Sequence, residues 1–166
     1  MNVLVACFGN VLRADDGVGV VVAERLAAEP LPAGTRVLEV GIGGMRLVQE
    51  LLAGDVDVLL IVDAVDLGRP AGSVVVQRPE VLDVSSLSVG ERRDQLADTH
   101  LATPARALMM ARGLGVLPKT TLIVGIQTSD TEEPREGLSE VSARAVPAAV
   151  DEVLRLIAEH AGPAAG

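Results

Sequence analysis

Residues 56–62 read VDVLLIV and run straight into Asp63. A run this short and this rich in Val, Leu and Ile suits a strand buried on both faces of a parallel sheet, since a helix needs greater length. Working outward, Asn2–Phe8 is a second apolar run, closed by Gly9-Asn10, and it opens the sheet. From Asp16 to Glu29, Val18, Val21, Val22 and Leu26 recur at helical spacing until Pro30 and Pro32 stop the pattern. Thr35–Val40 reads as a strand, after which Gly41-Ile42-Gly43-Gly44 turns the chain into a helix with an inner face of Leu47, Val48, Leu51 and Leu52. Gly72–Gln77 follows the Asp63 strand too quickly for a helical crossover, so antiparallel pairing at a sheet edge is expected.

Beyond it, residues 79–99 are polar and without period, the longest irregular stretch in the chain. A helix over 101–112, a strand over 121–126 and a final helix complete the order. The last helix should face inward with Leu138, Val141, Ala145, Val150, Val153, Leu154 and Ile157, and Pro147 should kink or divide it. Strands alternating with helices predict an α/β fold with an open, mostly parallel twisted sheet covered on both faces. Residues 1–160 read as one domain and 161–166, AGPAAG, as a frayed tail.

Composition narrows the function. The chain has 166 residues, 23 acidic against 14 basic, and a net charge of -9. Neither nucleic acid nor an anionic membrane surface is a natural partner for such a charge. Phe8 is the sole aromatic residue, so base stacking is unavailable. Cys7 is the sole cysteine, which excludes an internal disulfide and an all-thiolate zinc site within one chain. No apolar run reaches the ~20 residues of a membrane span, and the first residues lack the basic start of a signal peptide. A cytoplasmic protein is expected.

In a sheet of this kind ligands bind where the strands' carboxyl ends open into a crevice, so the loops leaving each strand carry the chemistry. The first loop, residues 9–19, places Asp15 and Asp16 between a strand and a helix. Both could cap that helix, or one could cap while the other faces the crevice. It is no phosphate loop: it matches neither GxGxxG nor a Walker pattern, has no lysine, and its two acids would repel phosphate. Asp63 ends a strand buried on both sides and needs a partner, either Arg69 or a metal or substrate; Asp66, farther out, suits solvent. His100 follows the irregular stretch beside a helix start, where the positive helix end favours the neutral imidazole a metal requires. His160, near the tail, suits solvent. Asp16, Asp63 and His100 together offer two carboxylates and one imidazole, a donor set for nickel or zinc. Cys7 lies in an apolar strand and His100 has no nominated nucleophile, so a serine or cysteine protease mechanism is disfavoured.

The opening loop resembles that of the hydrogenase maturation endopeptidases, which trim the C-terminal extension from the large subunit of nickel-iron hydrogenases. Their motif Gly-Asn-x-Leu-x-x-Asp-(Asp/Glu)-Gly-x-Gly is matched by Gly9, Asn10, Leu12, Asp15, Asp16, Gly17 and Gly19. Asp63 matches the family's second acidic position and His100 its histidine, and the likeness extends through Gly125-Ile126-Gln127 and Leu138-Ser139-Glu140. The chain departs at Gly41-Ile42-Gly43-Gly44, where the family usually has Gly-Thr-x-Gly, and at Thr128, where proline is frequent. The resemblance implies an α/β/α sandwich whose Asp16, Asp63 and His100 bind nickel carried by an immature large-subunit precursor. Cadmium or zinc would substitute for it in crystals. Three ligands leave positions open, so the ion either takes part in an aspartyl-type or metal-dependent cut or serves only to recognise the substrate. The alternative class is a non-catalytic metal-sensing chaperone of the same subunit. A monomer is the favoured state.

Overall fold

The computed structural model describes residues 1–84, 87–91 and 103–160. Five strands, β1 (Val3–Phe8), β2 (Thr35–Gly41), β3 (Val58–Val65), β4 (Val74–Gln77) and β5 (Thr120–Gln127), form one sheet in the order β2-β1-β3-β5-β4. All neighbours pair parallel except β4, which lies antiparallel on β5 at the edge. β1 is buried at every position, as is β3 through Val62, because helices cover both sides of the sheet.

The helices are α1 (Val18–Leu26), α2 (Met45–Leu52), α3 (Thr103–Gly113) and α4 (Glu140–His160). Strand alternation splits the core into two layers. Val3, Val5, Cys7, Leu60 and Val62 pack against α1 and α4, whereas Leu4, Ala6, Phe8, Leu59 and Ile61 pack against α2 and α3. The result is the expected α/β/α sandwich.

Several local expectations are corrected. The stretch from Asp16 is not α-helical from its start: Ala14–Gly17 forms one tight 3₁₀ turn before α1 begins. Leu52 is 54% exposed and Val141 is 37% exposed, so neither joins the core. Each sits in an end turn of its helix, where the covering layer has run out and helical spacing no longer decides burial. α4 passes Pro147 without division. Pro147 is exposed, so the carbonyl left without its usual N–H partner sits on a solvent-facing stretch of helix. His160 ends α4, half-buried. Within the expected irregular stretch, residues 89–91 are helical, while 85–86 and 92–99 lie outside the described residues.

Candidate active site

β1 connects to β2 on one side and the chain then returns to place β3 on the other. The loops leaving β1 and β3 therefore diverge, and a crevice opens at their carboxyl ends, the switch point at which open α/β sheets bind ligands. Asp16 follows β1 and Asp63 lies near the end of β3, so both expected carboxylates stand at that point.

The glycines of the opening loop make this placement possible. A Cβ on Gly19 would come within 2.0 Å of the Phe8 carbonyl oxygen and 2.9 Å of that of Val62, so glycine alone lets the start of α1 rest on the ends of β1 and β3. Gly9, at φ +151°, likewise allows the Asp16 carbonyl to approach, and the Asn10 N–H donates to that carbonyl at 3.2 Å. The Asn10 side chain turns the loop back by accepting from the Leu12 N–H at 3.0 Å.

The two neighbouring acids have different environments. Asp15 is fully buried, and its two carboxylate oxygens accept from the Ser139 N–H at 2.7 Å and the Ser139 hydroxyl at 2.9 Å. Ser139 in turn accepts from the Ser142 N–H at 3.2 Å, which makes it the N-cap of α4. Asp15 thus anchors the last helix, 124 residues away, rather than capping its own; no side-chain cap closes α1. Backbone bonds from Ala14 to Arg135 and from Asp15 to Asp130 fasten the same two loops together. They hold Ala14 at φ +43°, a left-handed conformation that costs a non-glycine residue on the order of 1 kcal/mol.

Asp16 remains half-buried at the crevice. Desolvation raises its pKa, opposed by the Arg13 guanidinium and the Asn10 N–H, while Glu132 adds to the rise. Asp63 is also half-buried and is pushed up to about 7, first by desolvation and then by the Asp16 carboxylate, against the Ala64 N–H that donates to it at 2.9 Å. Among the described residues Asp63 makes no ion pair with Arg69. Two like charges in mutual reach, partly shielded from water, are stabilised by a cation or a shared proton. His100 lies outside the described residues, and among the described residues no three metal-ligating side chains converge.

The wall on the far side is organised by Gln127, whose role no sequence pattern discloses. Its buried side chain accepts from the Leu67 N–H at 2.8 Å and the Arg69 N–H at 3.3 Å, and donates to Asp66 and to the Thr128 carbonyl. The loop after Asp63 is held from β5 in this way, and Asp66, though exposed, is part of that scaffold. Cys7 is buried, and desolvation, with the Glu39 and Asp63 charges, pushes its thiol up to about 12, so it is no thiolate nucleophile near neutral pH. A cavity of about 480 Å³ lies between Asp63, β5 and α3.

Two neighbouring carboxylates at the switch point of a doubly covered α/β sheet have the chemistry to hold a cation or to move a proton. The chain belongs to the hydrogenase maturation protease family, whose model matches residues 20–156, and it is an endopeptidase. It is similar to the hydrogenase expression/formation protein HupD of Rhodobacter capsulatus, 32% identical over 155 residues that span 93% of this chain and 70% of the relative. The hydrogenase 2 maturation protease of Escherichia coli is 29% identical over 161 residues, 96% of this chain and 92% of that one. Among solved structures, the hydrogenase maturating endopeptidase HybD from E. coli superimposes with a TM-score of 0.75 at 27% identity, covering 96% of this chain and 93% of its own.

Proposed function

We propose that this protein removes the C-terminal extension of a nickel-loaded hydrogenase large-subunit precursor, and that Asp16 and Asp63, with His100, engage the nickel the substrate carries. The observation that supports this reading is the placement of Asp16 and Asp63 at one switch point, with each carboxyl pushed toward its protonated form by burial and Asp63 further by its neighbour's charge. A divalent cation relieves both penalties at once, and two carboxylates joined by an imidazole form a donor set that suits nickel or zinc. The nickel arrives as part of the substrate, so loading of the precursor and its recognition are one event.

Asp63 is suited to proton work as well. A carboxyl near pH 7 exchanges its proton at neutral pH, the condition for a general base or acid acting on an attacking water or a leaving amine. The chain's contribution to the cut is then to hold the peptide bond beside the acid pair, on a scaffold made rigid by Gln127 and by the Asp15–Ser139 bonds.

The test is to mix purified protein with nickel-loaded precursor and read the subunit mass. A shortened subunit supports the endopeptidase, and a lasting complex of intact chains supports a metal-sensing chaperone instead.

A further inference from the structure

Asp63, Val65 and Ile123 stand on the same face of the sheet as Ile61, the face on which α3 packs. Together with Leu108 from α3 and Leu82 from the segment after β4 they line the cavity of about 480 Å³, as does the exposed Ala105. The space is larger than one side chain and its surface is mainly aliphatic. Leu82, on that lining, is 46% exposed, an apolar group left partly uncovered. Among the described residues the charged groups on its wall are Asp63, Asp66 and Glu80, and no basic residue lines it.

We propose that this cavity is the specificity subsite of the enzyme and takes an uncharged aliphatic side chain of the substrate next to the bond that is cut. The assignment rests on the endopeptidase reading above. A peptide whose scissile bond reaches the acid pair must pass Asp63, and Asp63 lines the cavity, so a flanking side chain lies within reach of it. Aliphatic lining selects an aliphatic group by burying it, and the Asp66 and Glu80 carboxylates on the wall disfavour an acidic one by repulsion.

Ala105 is exposed, so Ala105→Phe narrows the cavity while leaving the buried contacts of α3 intact. The measurement is kcat/KM on nickel-loaded large-subunit precursors. The cut is located by mass spectrometry, and each of the two residues flanking it is replaced in turn by Ala, Leu and Asp. At one of the two positions the wild-type protein is expected to favour Leu over Ala by about tenfold and to reject Asp. Ala105→Phe should erase or reverse the Leu preference, and Leu82→Ala should weaken it. Cleavage whose preferences are the same in wild type and both variants would overturn the subsite alone. A wild-type protein that shortens no precursor would overturn the endopeptidase reading and the subsite with it.

Discussion

Ser139 gives both its backbone N–H and its hydroxyl to the carboxylate of Asp15, at 2.7 and 2.9 Å, so a residue of the opening loop holds the first turn of the last helix. The neighbouring Asp16 is thereby left as the member of the pair that serves the crevice.

Asp15→Ala should therefore destabilise the fold by about 2–4 kcal/mol, because it strands two donors and frees the loop at 130–139. Asp16→Ala should cost far less, since it removes a carboxyl already pushed toward protonation. Urea unfolding of the two variants beside the wild type checks the contrast, and equal losses would contradict it.

Asp63 predicts a pH dependence of opposite sign to that of an ordinary paired carboxylate. Its folded pKa of about 7 lies above the 3.8 of an ordinary aspartate, so between those values the folded chain keeps a proton that the unfolded chain has released. Stability of the protein in the absence of metal should fall as pH rises from about 4 to about 7 and stay lower above that. Asp63→Asn keeps the acceptor for the Ala64 N–H and carries no charge. It should raise stability by roughly 2–4 kcal/mol above pH 7 and by nothing near pH 4. Thermal melts across that range read the difference.

At Gly19 the constraint is steric. Gly19→Ala puts a methyl group 2.0 Å from the Phe8 carbonyl oxygen, backbone that has no rotamer to retreat into. The start of α1 must lift from β1 and β3, at a cost of about 3 kcal/mol or more, or the chain fails to fold. Circular dichroism and denaturant midpoints indistinguishable from wild type would contradict this placement.

Gln127→Ala should release the loop after Asp63, because the backbone N–H groups of Leu67 and Arg69 lose their acceptor. The expected cost is about 1–3 kcal/mol, accompanied by faster amide exchange confined to residues 66–69. Exchange unchanged in that loop would remove Gln127 from its positioning role.

Much of this architecture is legible in the sequence, for identifiable reasons. β1 and β3 are unbroken apolar runs because helices cover both sides of each, and burial on both faces leaves a signal that needs no partner to be read. The antiparallel edge position of β4 follows from connection length alone. The failures lie where a tertiary contact decides. Leu52 and Val141 keep the helical period but fall in end turns beyond the covering layer. Asp15 and Asp16 are chemically equivalent neighbours until Ser139, 124 positions on, selects one of them. Gln127 offers no periodic or charge signal at all; its value lies in bonds to a loop some sixty residues earlier. The acid pair was legible because both members leave strand ends at the point where the strand order reverses. His100 lies outside the described residues.

The most direct test of the acid pair is a processing assay with nickel-loaded large-subunit precursor, comparing wild type with Asp16→Asn and Asp63→Asn, each first shown by melting to be folded. The account predicts a shortened subunit with the wild type and a loss of rate of at least about a hundredfold with either variant. A folded variant that trims the precursor at the wild-type rate would contradict it.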